Sequence, residues 1–347
     1  MKSKNAAKDV IHVVLSVYDP KGTYSQQAGV VMTSIFERTK SPVCVHILHD
    51  ETLTERNRAF LSETAELFGQ LAEFHDVALY LERIGDHAVN RAQKTTFSVG
   101  SMFRLFIPDI LPLDKVIYLD CDVVVNLDIR ELWDIPLDDR SLAGVIERPA
   151  PKPFGRFSLK ALRLKLMKCD RMNYINAGVL VMNLSRMRHK LNLIQESRLW
   201  YKRYGHLTGG VDQDLINSFF RGDIKPIDSR FNCRKREGDI SESILHMFCA
   251  PKPWIDLDGS AVQRIYWKAC LKTPWGRLSS EEVVDVMLDI VKSSSLTHRH
   301  TAQCYRRIFY RFMMDIILND VTVMLWLLGK DTYYRIKRFL TRGEPEK

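Results

Sequence analysis

Two carboxylates, Asp120 and Asp122, flank Cys121 directly after the apolar run Lys115 to Leu119 (KVIYL). In a regular strand, side chains two residues apart project to the same face. Two charges at the edge of a core are costly unless a cation or hydrogen-bond donors balance them. A hard divalent ion that also carries phosphate oxygens would balance them well, so the pair predicts a metal site. A strand-end turn with solvated aspartates is the alternative that this spacing leaves open.

A histidine and a lysine later in the chain fit the same chemistry. His246 lies in the stretch Ile244 to Phe248, and Lys252 follows six residues after it. Imidazole combined with two carboxylates suits Mn²⁺, which accepts mixed nitrogen and oxygen ligands. A lysine can meet a phosphate as a point charge. The residue types are equally compatible with a core histidine and a solvated loop lysine.

Two polar segments stand next to predicted regular elements. Gly209 to Asp214 (GGVDQD) leads into a helix, where Asp212 or Gln213 could cap the helix or face a ligand. Asn173 to Gly178 (NYINAG) is small and polar and precedes a strand; an ordinary turn is the alternative. Spacing alone does not choose between these readings.

The elements that would position these residues alternate between strand and helix. Strands are predicted over Val10–Val17, Val43–Leu48, Lys115–Leu119 with a continuation over Val123–Val125, and Gly178–Met182; helices are predicted over Gln26–Arg38, Thr54–Phe68 and Asp214–Phe220. Such alternation indicates an α/β fold with a parallel sheet. Ligands bind such sheets at the carboxyl ends of strands, where several of the polar residues fall. The stretch Pro149–Pro153 is predicted to be a mobile loop.

Composition indicates a soluble protein with a sizeable core, in one large domain plus an appendage or in two modest domains. The seven cysteines are scattered without a C-x-x-C pair, which disfavours a zinc knuckle or a disulfide framework and predicts a cytoplasmic protein. No signal peptide or spanning helix is predicted, because the longest apolar run, Ile316 to Leu328, is interrupted by Asn319 and Asp320.

The end of the chain is basic. Nine Lys/Arg against three Asp between Arg299 and Arg342 give this segment +6 of the formal net charge of +9. Apolar residues recur at helical spacing from Arg306 to Leu328, and a basic, aromatic segment follows over Tyr333 to Phe339. The tail therefore predicts a helix on an anionic membrane surface, with packing on the catalytic domain as the alternative. Nucleic-acid binding is disfavoured because no recognised module accompanies the charge.

Taken in order, the motifs resemble glycosyltransferase family 8, which contains bacterial lipopolysaccharide galactosyl- and glucosyltransferases and the glycogenins. The resemblance covers about residues 10 to 280 and rests on seven ordered blocks: Tyr24–Ser34, Ser101–Leu105, Tyr118–Asp122, Tyr174–Leu180, Asp212–Asp214, Ser229–Asn232, and His246 with Lys252-Pro253-Trp254. It implies a GT-A fold, with a mixed, mainly parallel sheet flanked by helices, over 10–280. The basic, aromatic segment over 281–347 is predicted to be a helical tail. The resemblance also implies transfer from UDP-glucose or UDP-galactose with retention of configuration.

By position, the resemblance assigns a role to each candidate residue. Asp120, Asp122 and His246 match the ligands of Mn²⁺, with Mg²⁺ as the alternative ion, and Lys252 matches a diphosphate contact. Arg104 matches a donor-site arginine. The remaining matches are Asn176, Ala177, Asp212 and Gln213 around the transferred sugar, with Asp212 and Gln213 as the catalytic candidates, and Asp19 and Tyr24 in the uridine pocket. Two departures are Cys249, where the family usually has glycine, and a longer loop at Asp19.

The resulting prediction is a retaining, metal-dependent hexosyltransferase that builds a lipopolysaccharide-type surface glycan. Its partners would be a UDP-sugar, a glycan or glycolipid acceptor, and the inner face of the cell membrane. The alternatives are a metal-dependent nucleotide-sugar hydrolase or nucleotidyltransferase, since D-x-D pairs also serve those enzymes, and a non-catalytic sugar-nucleotide-binding protein.

Overall fold

A computed structural model of the chain describes residues 10–93, 99–147, 159–248, 252–255 and 259–276. The predicted tail over 281–347, the predicted loop at Pro149–Pro153 and Cys249 lie outside the described residues. Predictions about them, including the domain boundary near residue 280, stay predictions.

The centre of the molecule is a seven-stranded sheet with the order β3-β2-β1-β4-β7-β6-β8. Its strands are β1 (Ile11–Val17), β2 (Val43–His49), β3 (Leu71–Asp76), β4 (Lys115–Leu119), β6 (Leu142–Ile146), β7 (Ile175–Asn183) and β8 (Ile224–Pro226). Strand β7 pairs antiparallel with β4 and β6, and the other pairs in this sheet are parallel. A second, two-stranded antiparallel sheet joins β5 (Val123–Asn126) to β9 (Ser243–His246). The sheet is therefore mixed and mainly parallel, as predicted.

Helices follow most of the strands. They are α1 (Ser25–Arg38), α2 (Glu55–Glu66), α3 (Ala78–Ile84), α4 (Asp86–Gln93), α5 (Ile107–Ile110), α6 (Arg130–Trp133), α7 (Leu159–Leu166), α8 (Leu184–Lys190), α9 (Leu193–Tyr204), α10 (Val211–Phe219) and α11 (Ala261–Cys270), with 3-10 helices at Val99–Leu105, Ser229–Asn232 and Pro274–Gly276. Side chains of Thr54 and Ser260 accept backbone N–H groups at the starts of α2 and α11. These bonds satisfy donors that a helix start leaves without intrahelical partners.

Two apolar clusters hold the strands and helices together. One lies between the sheet and α1 and includes Ile11, Val13, Ile35 and Ile117. The other links the small sheet to α11 through Val124, Leu245 and Tyr266. The ends of β4 and β9 are therefore anchored in buried apolar packing, which gives the polar residues beyond them a fixed position.

The described part of a second compact unit is α7, which belongs to Lys152–Leu166 and Leu278–Lys347. Among the described residues, no helix combines the length and apolarity required to cross a bilayer.

Candidate active site

The Asp120-Cys121-Asp122 motif lies in a turn, so the prediction of a continuous strand through it is wrong. Strand β4 ends at Leu119, and β5 belongs to the second sheet. The chain changes sheets here because the Asp120 N–H donates to the Gly178 carbonyl while the Asp122 carbonyl accepts the Met247 N–H. The buried Cys121 thiol donates to the Ser16 carbonyl. The turn thereby places the cysteine in the core and both carboxylates on its open side.

Both carboxylates converge on His246, as the metal-site prediction requires. The Nε2 atom of His246 lies 3.1 Å from Asp122 Oδ1 and 3.9 Å from Asp120 Oδ2. One ligand atom from each of the three residues lies within 4.8 Å of the others. We call Asp120, Asp122 and His246 the cavity cluster.

The hydrogen bonds of His246 match those of a metal ligand. Its Nδ1 lies 2.8 Å from the Asn232 side-chain oxygen, whereas its buried Nε2 has no hydrogen-bond partner among the described residues. Because Asn232 Nδ2 donates to Asn176 Oδ1, the oxygen of Asn232 is the acceptor, and the network assigns the imidazole proton to Nδ1. In the neutral imidazole, which is the form that binds a metal, the Nε2 lone pair then faces the carboxylates. An outer-shell acceptor of this kind orients the imidazole ligands of metal sites.

A glycine makes room for the cluster. A methyl group at residue 178 would lie 2.3 Å from His246 Cε1 and 2.7 Å from Asp120 Oδ2. Real β-carbons do not approach other atoms so closely, so any larger residue would displace the side chain of His246 or of Asp120. Gly178 was part of the predicted strand, but its contact with the cluster could not be read from its position in the sequence.

Lys252 completes the charge balance beside Asp122. Its Nζ donates to Asp122 Oδ2 at 2.5 Å and to the Met247 carbonyl at 2.7 Å. Burial alone would raise the pKa of Asp122, but the positive charges of a protonated His246 and of Lys252 outweigh it and hold that pKa well below its usual range. Asp122 is therefore a carboxylate at neutral pH, the state in which it can bind a cation.

Arg104 joins the cluster to the predicted sugar pocket. It is buried, lies on the 3-10 helix Val99–Leu105, and its guanidinium is 2.8 Å from Asp120 Oδ1 and 3.0 Å from Asp212 Oδ2. It also donates to the Ala177 carbonyl and lies 4.4 Å over the Tyr118 ring. Burial opposes its charge, yet both carboxylates raise the pKa of Arg104 above its ordinary value. The guanidinium is thus a fixed positive charge at the base of the site.

Neither Asp212 nor Gln213 caps the helix that they begin. Helix α10 starts after Gly210, and Asp214 accepts the N–H groups of Gly209 and Gly210. Asp214 thus fixes the two glycines that precede the helix, and Asp212 pairs with Arg104. Burial raises the pKa of Asp212 to about 6, and the nearby guanidinium of Arg104 opposes this shift.

Gln213 is held from both sides. Its Oε1 accepts from Asn176 Nδ2 at 3.1 Å and from the Ala177 N–H at 3.0 Å. Its Nε2 donates to Glu147 Oε2 at 2.8 Å and to the Tyr174 hydroxyl at 3.2 Å. Glu147 was missed at the sequence level, although it directly follows the buried strand β6 as Asp120 follows β4. That repeated pattern was the signal that could have found it.

Asp19 organises the loop after β1. Both of its oxygens accept hydrogen bonds, from the N–H groups of Tyr24 and Ser25, the Ser25 hydroxyl and the Asn57 amide. These four donors use the acceptor capacity of one carboxylate. The side chain therefore fixes the start of α1, and the predicted contacts of Asp19 and Tyr24 with a uridine stay predictions.

One cavity of about 550 Å³ collects the predicted residues. It is lined by ten of them: Asp19, Tyr24, Arg104, Asp120, Asp122, Asn176, Ala177, Asp212, Gln213 and Lys252. The His246 side chain is 0% exposed and does not line the cavity, but its Nε2 lies beside the carboxylates of Asp120 and Asp122, which do. Residues from six separate stretches of the chain thus line one cavity, whose size suits a small ligand.

Comparison with known proteins identifies the family. Residues 17–257, more than half of the chain, match the model for glycosyl transferase family 8. The chain belongs to glycosyltransferase family 8. A putative glycosyltransferase of Haemophilus influenzae is 24% identical over 275 residues, which cover 78% of each protein.

Solved structures of family 8 glycosyltransferases share the fold. The galactosyltransferase LgtC, in complex with donor and acceptor sugar analogues, matches 78% of this chain and 98% of its own, with a TM-score of 0.62 and 22% identity. The WbbM bifunctional glycosyltransferase matches 77% of this chain with a TM-score of 0.61 and 20% identity, and this chain spans half of its length. The predicted GT-A fold and the predicted family are both confirmed.

Proposed function

We propose that this family 8 glycosyltransferase transfers a hexose, glucose or galactose, from a UDP-sugar to a glycan acceptor, with a divalent ion and retention of configuration. The cavity cluster carries the proposal. Two carboxylates and an imidazole whose Nε2 lone pair faces them form a donor set that suits Mn²⁺. When bound there, such an ion would supply positive charge to a diphosphate leaving group.

The protein's own cations would share that task. Lys252 Nζ is beside Asp122 at the cavity wall and is positioned to donate to a diphosphate oxygen. Arg104 also lines the cavity, but its guanidinium is engaged by Asp120, Asp212 and the Ala177 carbonyl, so it orients the carboxylates. We therefore assign Lys252 to the donor substrate and Arg104 to positioning the ligands.

Retention requires attack on the face from which the leaving group departs, or a covalent intermediate. Asp212 is a poor nucleophile because its carboxylate is buried and paired with Arg104. Gln213 is an amide held by four hydrogen bonds, so it can orient polar groups but cannot form a stable ester. We favour same-face attack by the acceptor hydroxyl, whose proton passes to the departing phosphate oxygen.

The acceptor would approach from a neighbouring cavity. A space of about 440 Å³ shares Asn176 with the donor cavity and is also lined by Glu147, Asn232, Arg234 and Lys235. This lining offers one carboxylate and two cations for hydroxyl or acidic groups of a glycan.

A donor screen tests the proposal. The full chain is stripped with a chelator and melted with UDP-glucose, UDP-galactose, GDP-mannose or ADP-glucose, each with and without Mn²⁺. A bound donor raises the melting temperature by mass action, so we expect a shift with one UDP-sugar only when Mn²⁺ is present. The hit is then incubated with acceptor glycans, and products are assigned as α or β by NMR.

His246→Ala should abolish the Mn²⁺-dependent shift, whereas His189→Ala, at an exposed position on α8, should keep it. Equal shifts for all nucleotides, or without metal, would contradict the donor assignment. An inverted product would contradict retention alone. Release of free sugar at the same rate with or without any acceptor would favour the hydrolase alternative.

We also propose that the basic tail binds an anionic membrane surface. This proposal rests on the sequence: residues 299–342 carry a net charge of +6, and apolar residues recur there at helical spacing. In a pelleting assay, the full chain should sediment with vesicles that contain anionic lipid but not with neutral vesicles. A chain that ends near Ser295 should remain in the supernatant; equal pelleting of both chains would reject the idea.

A further inference from the structure

A second group of metal-binding side-chain types lies on one face of the sheet. His12, His46 and His75 come from the neighbouring strands β1, β2 and β3. Parallel pairing places His12 opposite Cys44 and His46 opposite Glu73. Because residues two apart on a strand share a face, the three imidazoles and Glu73 project together. We call His12, His46, Glu73 and His75 the histidine cluster.

Three atoms of this cluster converge. His46 Nδ1 lies 3.2 Å from Glu73 Oε2 and 3.2 Å from His75 Nε2. Glu73 Oε2 and His75 Nε2 are 3.8 Å apart. Ligands at about 2.1 Å from one ion are separated by roughly 3.0 to 3.4 Å, from octahedral to tetrahedral geometry. The three atoms therefore already lie close to the spacing that a single ion requires.

The distances around His46 are compatible with two tautomers of its imidazole. His46 Nε2 lies 2.9 Å from His12 Nδ1. If His46 donates its proton there, its Nδ1 lone pair faces the Glu73 carboxylate, and only a proton on His75 Nε2 can relieve the repulsion. The opposite tautomer gives an ordinary His46–Glu73 hydrogen bond, which the experiment below distinguishes. If His46 donates to His12, a divalent cation can accept the lone pairs of His46 Nδ1, Glu73 Oε2 and His75 Nε2 together.

The imidazoles are available as neutral ligands. Burial lowers the pKa values of His12, His46 and His75, that of His46 to about 4, and outweighs the opposing effect of Glu73. The adjacent Cys44 differs, since burial raises the pKa of its thiol to about 12 and keeps it protonated.

We propose that His46 Nδ1, Glu73 Oε2 and His75 Nε2 bind a divalent transition-metal ion of the Zn²⁺ class, with His12 as the outer-shell partner of His46. Two nitrogens and one oxygen suit borderline ions, in contrast to the oxygen-rich cavity cluster. The Glu73 and His75 side chains are 55% and 23% exposed, so water can reach the remaining coordination positions. The ion would join the edge strand β3 to β2 and restrain an otherwise open edge.

The test uses the full chain in which Asp122→Ala and His246→Ala remove the cavity cluster. This parent, stripped with a chelator, is titrated with ZnCl₂ by calorimetry and melted with and without Zn²⁺. We expect one Zn²⁺ to depend on the histidine cluster. His75→Gln and Glu73→Gln should each weaken that binding at least about tenfold and remove the melting shift. His189→Gln on α8 serves as the matched control and should bind as the parent does.

Each variant is also melted in chelator, which separates loss of the ion from loss of the fold. If His75→Gln fails to fold, Glu73→Gln carries the test, because its side chain is largely exposed. Unchanged Zn²⁺ binding in Glu73→Gln would overturn the proposal. So would weaker binding in Cys44→Ser with no change in Glu73→Gln, which would assign the ion to Cys44, His12 and His46 instead.

Discussion

The cavity cluster and the histidine cluster use different parts of the same α/β fold. The first stands at strand ends, where Asp120 and Asp122 share one turn and only His246 comes from a distant segment. The second lies across three paired strands, and sheet register brings Glu73 and His75 of β3 beside His46 of β2 and His12 of β1. Strand ends concentrate polar groups from one short motif, whereas a strand face assembles them from several.

The two clusters also differ in how their charges are balanced. Arg104 and Lys252 lie against the carboxylates of the cavity cluster. Among the described residues, the histidine cluster has a single exposed carboxylate, Glu73, facing neutral imidazoles. Removing a charge should therefore be far more damaging in the first region than in the second.

The largest effect is expected for Arg104→Met. This substitution leaves Asp120 and Asp212 near each other without their shared cation, and losing one partner of a buried ion pair costs about 3–5 kcal/mol. Glu73→Gln is the matched change in the histidine cluster, where exposure limits the loss to about 1 kcal/mol or less. Urea unfolding in chelator measures both. Losses of similar size would refute the difference in charge balance.

Gly178→Ala should affect only the cavity cluster. The added methyl group must displace His246 or Asp120, and a shift of about 1 Å in such a site can lower turnover about 100-fold. Steady-state transfer kinetics measure the loss. Zn²⁺ binding by the histidine cluster should be unchanged in the same protein, and a parallel loss of both would indicate a general folding defect rather than a local clash.

Outer-shell substitutions should act on one ion each. Asn232→Ala removes the acceptor of His246 Nδ1, and His12→Ala removes the partner of His46 Nε2. Such losses typically weaken metal binding about 10- to 100-fold. Titrations with Mn²⁺ and Zn²⁺ should show the first variant impaired for Mn²⁺ and the second for Zn²⁺. Crossed effects would mean that the two clusters are not independent.

The two regions should also respond to pH with opposite sign. The raised pKa of Asp212, about 6, means that the folded state binds more protons than the unfolded state between about pH 4 and 6, so this group's contribution to stability falls as pH rises. The lowered pKa of His46, about 4, means that its contribution rises with pH between about 4 and 6.5.

Asp212→Asn should therefore make the slope of unfolding free energy against pH more positive, and His46→Gln should make it more negative. Each change is at most about 1.4 kcal/mol per pH unit, because each concerns one proton. Urea titrations at several pH values from 4.5 to 6.5, in chelator, give both slopes. Changes of the same sign would contradict one of the two pKa directions.

Much of the cavity could be predicted from the sequence because its residues lie in short motifs. Strands β1, β2 and β4 are apolar runs whose predicted bounds agree with the structure to within a residue. Strand β3 was not predicted, because half of its six residues, Leu71–Asp76, are polar and the strand lies at an exposed edge of the sheet. Without β3, the histidine cluster could not be seen.

Other features depended on tertiary structure. The sequence suggested that Val123–Val125 continue β4, since apolar residues resume after Asp122, but pairing with β9 moves them to another sheet. The contact of Arg104 with Asp212 spans 108 positions in the chain and requires the sheet to be assembled first. Local pattern therefore predicted which residues matter, and long-range pairing decided what they contact.

The most direct test of the account is calorimetric titration of the full chain with UDP, which needs no knowledge of the acceptor. In MnCl₂ we expect the chain to bind one UDP. In chelator, or in His246→Ala, UDP binding should be at least about tenfold weaker, whereas His189→Ala should bind UDP as the unmodified chain does. Equal affinity for UDP with and without metal, or in His246→Ala, would contradict the claim that Asp120, Asp122 and His246 hold the ion that binds the donor diphosphate.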